Sequence, residues 1–208
     1  PWKGIPLAKQ ALRMAPKRVK KAACQEVVVE NPDLTKLPIP RTWPLDAGNT
    51  MTLPLVVTKD AATGEQNLGM YRAQVYGPTE CGLHWQMHKH GADHADAHHH
   101  NDGNASGEGD ELRIPVAICL GGPPELIFSA ISPLPDNLSE YMFASFLSNS
   151  RLPIVKAKTQ DLWVPAEVDV VIEGYAIPGE TRTEGPVGDH FGIYSLEGQY
   201  PVLHVTAI

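Results

Sequence analysis

Between Leu53 and Ala207 the chain passes through seven short apolar-rich runs separated by Gly, Pro, Asn and Asp, and this succession limits the folds open to it. The runs are Leu53 to Thr58, Met70 to Tyr76, Gly82 to His88, Ile114 to Leu120, Pro153 to Lys158, Val168 to Gly174 and Pro201 to Ala207. Their length and their content of Val, Ile, Leu and Tyr predict strands. Two helical stretches interrupt them. Pro123 to Ala130 opens on prolines suited to a first helical turn, and Asn137 to Leu147 sets Asn137 and Glu140 at capping-box spacing. Leu138, Met142 and Phe146 then recur every fourth residue and face a core. No strand–helix–strand unit repeats, so the expected fold class is mainly β, a β-rich α+β chain closed or partly closed into an antiparallel barrel with a few helices.

The first 50 residues read differently. Residues 7 to 21 predict a helix that Pro16 kinks or splits, with Lys17 to Lys21 as its solvated basic face. Pro32, Pro38, Pro40 and Pro44 then make an extended connector. The division expected is an N-terminal helix and connector over 1–45 and a barrel over 46–208. A chain of 208 residues can bury a core without staples. Its start, Pro1-Trp2-Lys3, reads as an internal cut. A net charge of -7 speaks against a nucleic-acid partner, which needs surplus Lys and Arg. Three cysteines, Cys24, Cys81 and Cys119, lack metal-type spacing and suit reduced thiols in the cytoplasm. No apolar run is long enough for a membrane-spanning helix.

Chemistry concentrates around one turn. Tyr76-Gly77-Pro78-Thr79-Glu80 between two alternating runs predicts a hairpin, whose register sets Asn67 opposite His88 and Arg72 close to His84. Arg72, Gln74 and Tyr76 share one face, as do His84, Gln86 and His88, while Leu83, Trp85 and Met87 point the other way. Such a polar face is either the solvated side of a half-buried sheet or a site for phosphate, carboxylate or metal. Glu173, ending the run from Val168, is either a strand-end charge or a third ligand; an Asn oxygen, a His nitrogen and a carboxylate suit Mn²⁺ or Mg²⁺. A second polar cluster, Glu180 to His190, is either a surface turn or a source of acid–base groups in Glu184, Asp189 and His190. Seven of nine histidines lie between residues 84 and 100. His94, His98, His99 and His100 could form a separate metal site, against the plainer reading of a solvated loop from Asp93 to Glu111.

Ordered motifs tie these residues to a known family. Trp43-Pro44-Leu45-Asp46-Ala47, Asn67 to Arg72, Trp85 with His88 and Gly91-Ala92, Leu138-Ser139-Glu140-Tyr141, Ile172-Glu173-Gly174-Tyr175, Glu184-Gly185-Pro186 with Gly188-Asp189-His190, and His204-Val205-Thr206 together resemble the UbiD family of reversible decarboxylases. The resemblance is closest to the 3-polyprenyl-4-hydroxybenzoate carboxy-lyase branch of ubiquinone biosynthesis and runs from about Gln25 to Ile208. It implies a split β-barrel similar to flavin reductases and a prenylated FMN cofactor. By resemblance, Asn67, His88 and Glu173 hold a divalent metal (Mn or Mg), with potassium nearby. Met70, Tyr71, Arg72, His84, Trp85, Gln86, Met87, Lys89 and His90 line the cofactor, and Arg72 pairs with the substrate carboxylate as the catalytic residue.

The resemblance further implies decarboxylation of an aromatic or α,β-unsaturated acid, one like 3-polyprenyl-4-hydroxybenzoate, a flavin prenyltransferase as cofactor supplier, and a homo-oligomer in the full-length protein. Peripheral membrane association goes with a polyprenylated substrate. It places α/β domains before Pro1 and after Ile208, with the proton-delivering acids beyond Ile208. His84 stands where close relatives often carry Arg, and Val187 and Phe191 depart from the family's loop. The alternative function is a non-catalytic FMN- or metal-binding module.

Overall fold

The computed structural model describes residues 13–60, 63–85, 113–135 and 138–208. The main sheet has eight strands: β2 (Thr50–Met51), β3 (Leu55–Lys59), β4 (Gln66–Met70), β5 (Ala73–Val75), β6 (Glu80–Leu83), β7 (Ile114–Leu120), β10 (Val170–Glu184) and β11 (Gly198–Ala207). Their spatial order is β2-β5-β6-β11-β10-β7-β3-β4, and every pairing is antiparallel. A smaller sheet joins β1 (Lys17–Val19), β8 (Pro153–Lys156) and β9 (Trp163–Pro165). Helices α1 (Pro124–Ile131) and α2 (Glu140–Leu147) lie between β7 and β8.

Sheet order and chain order together dictate the curl. β4 and β5 stand six strand steps apart in the sheet, roughly 29 Å if it were flat. Only Tyr71 and Arg72 connect them, and three Cα steps span at most about 11 Å. The sheet must therefore bend until its two ends meet, which makes it a half-barrel. The central strands read as nearly continuous apolar runs because both faces are covered. Leu55, Val57, Leu68, Ala117 and Cys119 pack outward against Leu126 and Tyr141 of the two helices and Ile154 and Val164 of the small sheet. Val56, Val116, Ile118, Ile172 and Leu203 pack inward with Leu34, Ile39 and Met51.

Several expectations need correction. Residues 13 and 14 are helical, but the chain leaves that conformation before Pro16, and Lys17–Val19 pairs in parallel with Pro153–Val155. Pro16 lacks an amide proton and disfavours helix at its predecessor. The basic run therefore begins on a strand, not on a helix face. Ser139, rather than Asn137, caps α2, accepting from the Met142 amide; residue 137 lies outside the described residues. Met70 to Tyr76 is not one strand either. Asn67 sits on β4 opposite Thr58 of β3, and His88, its expected partner, lies outside the described residues. The hairpin itself holds: Ala73 faces Leu83, Val75 faces Cys81, and the His84 amide donates to the Arg72 carbonyl at 3.0 Å.

Candidate functional site

The far end of β10 delivers Glu184 to the start of the hairpin. Its side chain is fully buried, and three donors reach it: Arg72 Nε to Oε1 at 2.7 Å, Arg72 Nη2 to Oε2 at 2.9 Å and His84 Nδ1 to Oε2 at 2.7 Å. Burial pushes this carboxyl up, yet the hydrogen bonds from His84 and Arg72 and the Arg72 charge outweigh it and hold it below the usual carboxylate value. Glu184 is thus ionised at rest. Arg72 Nη2 also donates to Ser195 Oγ at 3.2 Å, and the His84 ring lies 4.1 Å from that of Tyr200. Tyr76, near Glu184, is pushed up to about 12 by burial and by that carboxylate's charge.

The loop after Glu184 is braced locally. Gly185 turns the chain at φ 95°, a region that favours glycine, and its amide donates to Gln74 Oε1. Asp46, 1% exposed, accepts from the Gly188 amide at 2.6 Å and the Trp43 amide at 2.8 Å, so the Trp43 to Ala47 motif clamps this loop. Gly188 lies so close under the Trp43 ring that a Cβ there would come within 2.4 Å of it.

A second polar focus lies on the open edge of β4. Glu140, the first residue of α2, accepts the outward-pointing Leu68 amide at 3.2 Å. Asn67 and Glu140 both border two cavities, one of about 350 Å³ reaching Gly69, Tyr71 and Ser132, and one of about 550 Å³ reaching Lys59, Lys156 and Trp163. Five Cα steps of chain separate Asn67 from Arg72, no more than about 18 Å when extended.

The structure does not bring Glu173 to Asn67. Glu173 shares a sheet face with Ala117, Val57 and Leu68, three strands from β4, while Asn67 alternates to the other face. Its carboxylate is 3% exposed and already accepts the Lys158 amide at 2.7 Å, the Thr159 amide at 2.5 Å and the Thr159 hydroxyl at 2.8 Å. A carboxylate so occupied serves as a loop anchor. Glu140, read from sequence only as a helix-cap residue, is the acid beside Asn67. Its signal was a carboxylate at a helix start, which sequence alone assigns to capping.

Of the other expected site residues, Tyr71 is buried with its ring over Gly69, and Met70 is partly buried against the outer core. Trp85 is buried, and its indole N–H has no acceptor among the described residues. Gln86, Met87, His88, Lys89 and His90 lie outside the described residues, as do His94, His98, His99 and His100. Among the described residues, no three His, Cys, Asp or Glu converge as a metal site. No helix is long and apolar enough to cross a membrane among them.

Residues 17–208 match the UbiD family, described as the 3-octaprenyl-4-hydroxybenzoate carboxy-lyase Rift-related domain. The chain is 44% identical over 206 residues to an uncharacterized protein of Archaeoglobus fulgidus, covering 99% of this chain and 41% of that protein. It is similar to the UbiD-class enzyme HmfF from Pelotomaculum thermopropionicum, solved with FMN, at 28% identity and a TM-score of 0.83, covering 100% of this chain and 46% of that one. It is also similar to the closed form of Sedimentibacter hydroxybenzoicus vanillic acid decarboxylase, at 27% identity and a TM-score of 0.84, covering 97% and 44% respectively. The chain spans less than half the length of each of these relatives.

Proposed function

Since the chain belongs to the UbiD family, we propose that it takes part in the reversible, non-oxidative decarboxylation of an aromatic or α,β-unsaturated acid, contributing the substrate-orienting arginine, a proton-transferring carboxylate and the metal end of a prenylated-FMN site. The observation that supports this best is the Glu184 carboxylate, fully buried and held by Arg72 and His84. A guanidinium fixed through Nε and Nη2 has Nη1 left to meet a substrate carboxylate, and no acceptor for Nη1 occurs among the described residues. Glu184, once protonated, is the group placed to return a proton to the carbon that loses CO₂. This differs from an acid located beyond Ile208.

The residues at the β4 edge fit a hard divalent cation: an amide oxygen from Asn67 and a carboxylate from Glu140 border the same cavity. The proposed donor set is Asn67, Glu140 and His88, with Glu140 in place of Glu173. FMN or prFMN occupies solved members of the class; when bound, prenylated FMN would supply the electron sink for decarboxylation. The buried Trp85 N–H, without an acceptor among the described residues, fits a bound polar group near His84. Met70, Tyr71 and the 84–90 segment belong to this cofactor reading.

The test is co-expression of the full polypeptide with a flavin prenyltransferase, followed by CO₂ release and substrate hydrogen–deuterium exchange over a panel including benzoic, hydroxybenzoic, vanillic, cinnamic and 3-prenyl-4-hydroxybenzoic acids. At least one acid should turn over, and Glu184→Gln should abolish its exchange while the flavin absorbance persists. Cofactor-loaded protein inert on the whole panel would leave the binding-module alternative.

A further inference from the structure

We propose that His84 is the proton conduit of Glu184, acting through that carboxylate rather than by pairing with a cofactor phosphate. The inference rests on the decarboxylase reading and deepens it.

An acid that gives up a proton each turnover has to regain one, and the Glu184 side chain, 0% exposed, does not meet bulk solvent directly. Of the two side chains that touch its oxygens among the described residues, Arg72 stays protonated throughout and holds the carboxylate without supplying a proton. His84 is the other, and an imidazole exchanges protons at near-neutral pH. It contacts Oε2 at 2.7 Å through Nδ1, and its side chain is 18% exposed. Opposite an ionised carboxylate, Nδ1 carries the hydrogen, and Nε2 has no partner among the described residues. The ring is held between Glu184 on β10 and Tyr200 on β11, with Arg72 across the hairpin and Tyr76 near the same carboxylate. Asp189, the next acid along the chain, instead accepts the Phe191 amide at 2.9 Å and lies 3.2 Å from His190 Nδ1.

The transfer balances as follows. A proton from solvent, carried by hydronium or a buffer acid, adds to Nε2 of neutral His84 and gives the imidazolium. The Nδ1–H bond breaks as an O–H bond forms at Glu184 Oε2, leaving His84 neutral with hydrogen on Nε2. Glu184 passes its proton to the substrate carbon and returns to the carboxylate. On product release the ring exchanges with water and resumes the Nδ1–H form. One solvent proton is consumed per CO₂ released, with no change of oxidation state.

The experiment compares wild type, His84→Gln and His84→Ala in cofactor-loaded full-length protein. Gln can still donate to Glu184 but cannot relay a proton. His84→Gln should retain cofactor and melting temperature, lose about 100-fold or more in product hydrogen–deuterium exchange, and lose one limb of the pH–rate profile. Added imidazole should restore part of the exchange in His84→Ala. Exchange and pH profile unchanged in His84→Gln would overturn the relay and leave the decarboxylase standing, as would folded His84→Ala that imidazole does not rescue. A wild type that binds cofactor without turning over any acid overturns both. Independently of turnover, the relay requires a downfield Nδ1–H proton resonance in wild type that disappears in Glu184→Ala; its absence from wild type also sinks the relay.

Discussion

Replacing Glu173 and Glu140 separately distinguishes a loop anchor from a metal ligand. Glu173→Ala strips the acceptor from two backbone amides and one hydroxyl, those of Lys158 and Thr159. A buried donor without a partner costs about 1–3 kcal/mol. Lys158 and Thr159 are exposed residues, so water recovers part of this and the net loss should be about 2–3 kcal/mol. At about 2–4 °C per kcal/mol for a chain of this size, the melting temperature should fall by roughly 4–12 °C. Glu173→Gln keeps one oxygen but turns an amide NH₂ toward a donor, and should lose about half as much. Neither change should weaken Mn²⁺ binding in the folded protein, measured by calorimetry below the melting range. Glu140→Gln should do the opposite. It retains a carbonyl able to accept the Leu68 amide, leaving stability within about 1 kcal/mol, while Mn²⁺ affinity falls beyond the roughly 10–100-fold typical of an outer-shell change. If Glu173→Gln loses metal as strongly as Glu140→Gln and melts like wild type, the assignment of these two carboxylates is wrong.

Two further outcomes follow from local geometry. Asp161, bridged by Lys59 and Lys156, is held down at about 2 against an ordinary 3.8 by those two hydrogen bonds and charges. A depressed carboxyl stabilises the fold above its unfolded value and loses that contribution as pH falls through the folded one. Asp161→Asn should therefore lower stability slightly at pH 7, by at most about 1 kcal/mol because the pair is solvent-screened, and match wild type near pH 2; an equal deficit at both pH values in thermal melts would refute the pairing. Gly188→Ala should cost about 1–3 kcal/mol in urea unfolding, because its Cβ would press to 2.4 Å from Trp43, whereas the same variant carrying Trp43→Leu should recover most of it; no recovery would locate the strain elsewhere.

What sequence could and could not convey follows from how local each cause is. The run Ile114 to Leu120 coincides with β7, because a strand covered on both faces has an apolar residue at nearly every position and ends where Gly121 and Gly122 begin. Arg72 beside His84 was legible too, since a short turn at Gly77-Pro78 fixes register within the hairpin. Asn67 was not. Its partner strand is set by sheet closure, and nothing in the alternation from Gln66 to Tyr76 announces that the chain changes sheet edge at Tyr71 and Arg72. The surroundings of Glu173 and Glu140 were hidden for the same reason. Glu173 ends an apolar run in the sequence yet lies inside β10, Glu140 opens α2, and only tertiary packing shows which one meets the 158–159 amides and which one meets β4.

The two-residue link at Tyr71 and Arg72 explains why the two polar foci occur together. It joins the last strand of the curled sheet to its second, so the residues just before it lie on an open edge and those just after it start a paired hairpin. An open edge leaves outward amides and a bordering cavity, and there Asn67 and Glu140 can meet a cation. The hairpin side is reached by the long β10, whose bulge between Ala176 and Thr181 lets it run on to Glu184 and deliver a carboxylate under Arg72 and His84. The proposed cation-binding edge and acid-bearing hairpin, no more than about 18 Å apart along one stretch of backbone, suit a metal-tethered cofactor with a proton-dependent reaction. Lengthening the link should separate the two functions: inserting one glycine between Tyr71 and Arg72 would relax the geometric coupling while leaving each donor set its own partners.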